Sequence, residues 1–392
     1  MSSETRWLLG AWAFVGLLLA FLLLRNGGYG WDSRCYRQFT LEFFATGANP
    51  YIRDGWPLSY PPLVLYLFRP WIYLSANVAN WLWTVLKLGG FFYIFRIWHR
   101  HFLPLSIRDP FQVLFIALAF NGSLFYDVAS GNIAGFQQVV LWAGLAALLR
   151  KRIWVYCAAV VLMAEIKSDL ILLLGLLLFI DDKPRWKELF LSAAAFVILY
   201  SLNYLIYPDL FRDYMRLLAT LGKRSVGVNN PSTLTFSGQL VDAVRTWPIP
   251  WSLPARAGDA LYAVLVLGVS GLSWRAYQRI RKRNADPDLR WRILFFIVVF
   301  GLVDPRVPPY LYAIFLLPSL WILQKYRWQA LIPLAGVMAM FPQGTSSFPR
   351  PVNQIFELFN TYLPLMALYA VWILYLKSSY PASNPSLNDK TR

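Results

Sequence analysis

Residues 7–24 read WLLGAWAFVGLLLAFLLL, an apolar run without a charge. A lone α-helix needs ~20 such residues to cross a bilayer. The run also lacks the small-residue cleavage site of a secretory signal, so it reads as a retained first membrane helix. The rest of the chain agrees. Its 392 residues are 58% hydrophobic and 15% charged, whereas soluble domains carry about 25% charged residues. Further apolar runs lie near residues 77–98, 110–127, 133–150, 153–166, 169–181, 188–206, 259–275, 291–303, 309–323, 328–341 and 360–376. With the first, they predict an all-α polytopic membrane protein of about twelve transmembrane helices.

One more run, residues 60–74, begins YPPL and carries Arg69 and Pro70 near its far end. Lys and Arg concentrate in the cytoplasmic loops of membrane proteins. With residues 60–74 lying on the outer surface, the cytoplasmic segments and the two tails hold 22 of the 37 Lys and Arg, and each short outer loop holds one or none. If the run crosses, that bias is lost in the middle of the chain. The charges therefore place residues 60–74 as a surface helix and both termini in the cytoplasm. They also account for the net charge of +17 without nucleic acid, because the basic residues are scattered between apolar runs instead of gathered on one soluble face. Cys35 and Cys157 lie in different contexts and imply no disulfide framework.

The segment after the first helix, residues 28–68, changes character abruptly. Asp32, Arg34, Arg37, Glu42, Arg53 and Asp54 stand among aromatics and prolines. SRCYRQFTLEFF, residues 33–44, has the apolar and aromatic pattern of a helix resting in the membrane interface. Such a helix presses Asp32 toward the protein. A second outer segment, residues 207–258, contains FRDYMRLLATLGKR, which also fits an interfacial helix.

The order of these pieces resembles the GT-C superfamily of polyprenyl-phosphate-sugar-dependent glycosyltransferases, and within it glycosyltransferase family 87. The pieces are one spanning helix, Asp32 just outside it, Gly47-Ala48-Asn49-Pro50-Tyr51, and Tyr60-Pro61-Pro62-Leu63 opening an apolar run. Gly131-Asn132 stands where a glycine-glutamine pair is usual, and Ser168 follows Lys167 where proline is common; Asp304-Pro305 and Pro309-Tyr310 complete the series. The resemblance implies a GT-C-like bundle in a bacterial-type inner membrane, with residues 1–376 as one catalytic domain. It also implies that residues 25–76 and 207–258 form an extracytoplasmic active-site face, and that the substrates are a polyprenyl-phosphate sugar, with mannose or another hexose as the sugar, and a lipid or glycan acceptor. The polar residues 377–392 are expected to be a disordered cytoplasmic tail.

The residues support chemistry of this kind. No phosphate-binding glycine loop or dinucleotide fingerprint is present, and the only histidines, His99 and His101, fall on the cytoplasmic side. An outer-face reaction then needs a substrate already activated in the membrane. A sugar on a lipid phosphate fits, because its leaving group needs charge stabilisation more than protonation. The acceptor hydroxyl needs a base, and the base is assigned to Asp32; its structural alternative is pairing with Arg34 or capping the surface helix. Lys167 and Arg306 are candidates for the donor phosphate, each with an ion pair to a neighbouring acid as the alternative. Lys223 and Arg224 are candidates for the same phosphate or for anionic headgroups. Asn132 is either a helix cap or a sugar ligand, and Asn230 either a turn residue or part of the acceptor groove. Trp31 and Trp56 either stack on a sugar or anchor the interface. No metal ligand set is present, the pair Asp181-Asp182 reads as a solvated helix end, and no cofactor is expected. A lipid-linked sugar flippase or transporter and a glycan ligase or polymerase are the rival classes. Against the first, no matched halves are visible.

Overall fold

The structure, a computed structural model, describes residues 3–24, 30–53, 57–106, 108–181, 183–224, 227–245, 253–282, 288–326 and 352–379. The chain is all-α among these residues. The helices are α1 (Ser3–Leu24), α2 (Trp31–Thr46), α3 (Val64–Ile72), α4 (Ala76–His101), α5 (Pro110–Ser130), α6 (Ala134–Leu149), α7 (Ile153–Ala164) and α8 (Trp186–Ile206). They continue as α9 (Pro208–Arg224), α10 (Thr233–Arg245), α11 (Ala257–Lys282), α12 (Leu289–Val303), α13 (Leu316–Lys325), α14 (Val352–Thr361) and α15 (Leu363–Ser378).

Four of these, α4, α5, α8 and α11, are long and apolar enough to cross a membrane by length and composition. Shorter apolar helices accompany them among the described residues, so length and composition support an all-α membrane protein with four full crossings there and leave the expected count of about twelve unestablished. Two of the expected helices take a tighter form. Residues Ser168–Leu178 and Pro309–Phe315 are 3-10 helices, which rise about 2.0 Å per residue against 1.5 Å for the α form. The apolar run at 328–341 lies outside the described residues. On α8 the side chains of Phe190, Ile198 and Leu205 are 64%, 66% and 70% exposed. A soluble protein would bury such a surface, and its composition suits contact with lipid chains.

Local chemistry sets the helix ends. Asp109 caps α5, accepting from Phe111 N at 2.9 Å ahead of Pro110 in the first turn. Ser75 caps α4 in the same way. Gly47 ends α2 and Gly131 ends α5, both left-handed, the conformation glycine adopts without steric cost. Within α5 the chain leaves helical geometry at Ala119–Gly122, where Phe120 and Asn121 have φ of 53° and 60°, and then resumes the helix toward Tyr126 and Asp127.

The main core joins α4 through α7 with α12, α13 and α15. A second, smaller core lies among the elements expected on the outer face. It includes Tyr36 and Phe39 of α2, Tyr60 from the connecting loop, Phe68 of α3 and Tyr214 of α9. Tyr36 stacks on Phe68 with centroids 4.7 Å apart, a contact worth ~0.5–1.5 kcal/mol beyond its buried area. The loop motifs tie this core together. Asn49 Nδ2 donates to Asp213 Oδ2 of α9 at 2.8 Å, Tyr51 OH donates to Tyr60 O at 2.8 Å, and Leu63 N donates to Asn203 Oδ1 of α8 at 2.9 Å. The helices expected at residues 33–44, 60–74 and 211–224 correspond to α2, α3 and α9, which share this second core.

Candidate active site

A cavity of about 440 Å³ opens where α2, the 57–60 strand of loop, the end of α5, the 131–133 turn and the 306–310 segment meet. Asp32, Trp31, Asn132, Tyr60, Arg306 and Tyr310 are among its lining residues. Asp32 stands in the first turn of α2, where the helix dipole favours a negative charge. Gly30 precedes it with φ 78°, and Gly30 N donates to Ala129 O at 2.6 Å, fastening the start of α2 to the end of α5.

Asp32 Oδ2 accepts from Asn132 Nδ2 at 2.8 Å. The same amide lies 3.0 Å from the Tyr36 hydroxyl, which is 3.0 Å from the hydroxyl of Tyr60. Asn132 Oδ1 accepts from Ala134 N at 2.9 Å. Asn132 thus precedes the N-cap residue of α6, bonds the first N–H of that helix in the manner of an Asx turn, and holds the Asp32 carboxylate at the cavity wall. Burial raises the Asp32 carboxyl above its ordinary value, and the Asn132 hydrogen bond and the charge of Lys87 pull it back. Burial and the Asp32 charge also raise the Cys35 thiol, and they push Tyr60 up to about 12. At neutral pH these neighbours stay protonated. Asp32 is the one carboxylate among the described lining residues, and so the group best able to take a proton there.

Arg306 is held by its backbone. Asp304 Oδ1 accepts from Arg306 N at 2.9 Å and Lys167 Nζ donates to Arg306 O at 3.2 Å. Asn230 Oδ1 accepts from Val307 N at 2.8 Å, and the Asn230 amide and Ser232 hydroxyl both donate to Pro305 O. Asp304 thus bonds the backbone of Arg306, and no carboxylate forms an ion pair with the guanidinium among the described residues. The guanidinium borders the cavity and a narrow annex shared with Lys167, Asn132, Tyr60 and Gln137.

The other candidates sort differently. Lys167 pairs with Asp169 at 3.0 Å, so its charge is partly committed and its amine also braces the Arg306 loop. Asn230 is buried and stands behind the cavity wall as a clamp, while the neighbouring Asn229 borders the cavity. Trp31 is 43% exposed and meets Tyr126 edge to face at 5.8 Å. Trp56 and the side chains of Lys223 and Arg224 lie outside the described residues. No cluster of three or more metal-ligating side chains occurs among the described residues.

Sequence reasoning passed over Lys87 and the carboxylate of Asp127, a fully buried ion pair 3.1 Å apart just behind the 131–132 turn. A lysine in the middle of an apolar span was the available signal, because a lone charge at membrane depth demands a partner. Tyr36, Tyr60 and Tyr310 were likewise absorbed into the general abundance of interfacial aromatics.

No curated protein and no solved structure matches this chain. The sequence profile described as glycosyltransferase family 87 matches residues 58–305. That region takes in Asn132, Lys167, Asn230 and Asp304, begins after Asp32 and ends one residue before Arg306. Since the match extends over more than half of the chain, this protein belongs to glycosyltransferase family 87, of GT-C type.

Proposed function

We propose that the protein transfers a sugar, mannose or another hexose, from a polyprenyl-phosphate donor to a lipid or glycan acceptor at the extracytoplasmic face of the membrane, inverting the anomeric carbon. The observation that carries this reading is the cavity that Asp32 and Arg306 border together. Asp32 takes the proton of the acceptor hydroxyl as its oxygen forms a bond to the anomeric carbon. The bond from that carbon to the phosphate oxygen breaks, and its electron pair leaves with polyprenyl phosphate, whose negative charge grows by one. Arg306 meets that developing charge, because a guanidinium matches phosphate oxygens in a planar fork. Lys167 supports it by fixing the loop and adding a partly neutralised cation. The cavity aromatics Trp31, Tyr126 and Tyr310 offer apolar faces and hydroxyls for sugar rings.

The test is turnover of purified protein in nanodiscs supplied with a panel of polyprenyl-phosphate sugars and glycolipid acceptors. Asp32→Asn is expected to lower kcat ~100- to 10,000-fold, the usual contribution of a general base. Turnover near wild type removes the assignment of Asp32. Lipid-linked sugar that crosses the bilayer unaltered supports transport instead.

A further inference from the structure

We infer that the buried Lys87–Asp127 ion pair is a positioning device for Asp32, acting through the turn at residues 127–132; the inference rests on Asp32 being the base. Lys87 belongs to α4 and Asp127 to α5, and both side chains have no solvent exposure. The ammonium stands 3.1 Å from Asp127 Oδ2 and donates to the backbone carbonyl of Asp127. That carbonyl also accepts from Ser130 Oγ at 3.0 Å, Ser130 Oγ accepts from Asn132 N at 3.1 Å, and Asn132 Nδ2 donates to Asp32 at 2.8 Å. An unbroken chain of polar contacts therefore runs from the ammonium to the carboxylate.

Packing alone gives no reason for this pair. Apolar side chains of similar volume serve a helix contact at least as well as a buried ion pair, whereas removing one partner strands a charge. The fold also makes room for it. A Cβ on Gly135 would lie 2.6 Å from Asp127 Oδ2 and 2.8 Å from Lys87 Cε. Asp32 feels the pair electrostatically as well, since the Lys87 charge favours its ionised form. Among the described residues, the titratable or charged groups that line its cavity or couple to Asp32 include Cys35 and Tyr36 on its own helix, with Arg34 beside them, Tyr60 in the following loop, Tyr126 and Asp127 on α5, and Tyr310 and Arg306 on the 306–310 segment.

The experiment measures kcat and donor KM from pH 5 to pH 9 for wild type, Lys87→Gln, Lys87→Gln/Asp127→Asn and Asp32→Asn, all as full-length protein in nanodiscs. Lys87→Gln is expected to lower kcat at least tenfold, to keep donor KM within about twofold, and to move the acid limb of the profile up by about one pH unit. The double variant, whose amide pair holds the turn without a stranded charge, is expected to regain most of the lost kcat. Wild-type kcat and limb in Lys87→Gln overturn the inference, as does a loss shared by kcat and KM with the limb unmoved. If the single variant does not fold, Gly135→Ala displaces the pair without removing a charge, and wild-type kcat in that variant overturns the inference. Full turnover in Asp32→Asn refutes the base itself; an inactive Asp32→Asn beside an unaffected Lys87→Gln refutes only the positioning role.

Discussion

Replacing Asn132 by alanine separates the two tasks of its side chain. Its Oδ1 accepts from Ala134 N at 2.9 Å and its Nδ2 donates to Asp32 Oδ2 at 2.8 Å. Losing the first removes an Asx-type hydrogen bond to the first N–H of α6, a cost of ~0.5–1.5 kcal/mol that appears as a lower unfolding temperature. Losing the second removes a hydrogen bond to a charged group, worth ~1.5–3 kcal/mol. That bond favours the ionised carboxylate, so without it the Asp32 pKa rises further. A base must be ionised to act. The sign is therefore fixed: kcat/KM of Asn132→Ala falls at pH 7 by ~10- to 100-fold, the rate equivalent of that hydrogen bond, the acid limb of its profile moves to higher pH, and activity recovers as pH increases. A steady-state profile from pH 5 to pH 9, together with a thermal melt, measures both effects. A variant with the wild-type limb refutes the link between Asn132 and Asp32 ionisation, whatever its absolute rate.

Arg306→Gln removes the guanidinium but leaves the backbone bonds of its loop; kcat/KM for a polyprenyl-phosphate donor is expected to fall ~10- to 100-fold, and an unchanged value places the phosphate elsewhere. Gly131→Ala puts a Cβ at φ +68°, 2.8 Å from Gly30 Cα and 2.7 Å from Ser33 Oγ. Melting temperature and turnover should both drop, since the left-handed backbone alone costs ~1–2 kcal/mol; a stable, active variant contradicts the tight seam between α2 and α5. Asp304 is fully buried with Oδ2 unpartnered, and burial first, then the Asp169 charge, raises its carboxyl well above its ordinary value. The folded state then holds a proton that the unfolded state releases, so stability falls as pH rises from the ordinary value of ~3.9 toward the raised one. Melts of Asp304→Asn should lose that fall, and an identical slope in both proteins excludes Asp304 as its source.

The membrane class and the outer layer were legible in the sequence because both rest on local pattern. The aromatic and apolar spacing of residues 33–44 and 211–224 marks helices, and α2 and α9 take in both stretches, beginning two and three residues earlier. The helical form of the leucine-rich segments was not legible. In SDLILLLGLLL every side of the run is apolar, so the pattern carries no period, and it forms a 3-10 helix over Ser168–Leu178. The departure inside α5 was equally hidden, since FNG reads as a turn only when its neighbours do not read as a span.

The candidate site divides along the same line. Asp32 stood out because a lone carboxylate beside a membrane helix is conspicuous in one dimension, but what holds this proposed base comes from far along the chain. Asn132 is 100 residues away, and the Arg306 loop is clamped by Asn230, Ser232 and Lys167. The sequence neighbours of Arg306 even pointed toward a pairing that does not form: Asp304 turns back to a backbone N–H two residues on, the ordinary habit of an Asp before proline in a turn. Lys87 carried the opposite lesson. Its charge in the middle of α4 could be seen without a structure, yet nothing in the chain indicates that its partner is Asp127, forty residues on, instead of any of the other acids near the outer face. A buried charge announces that a partner exists, and only the packing of α4 against α5 says which one and therefore which loop it holds.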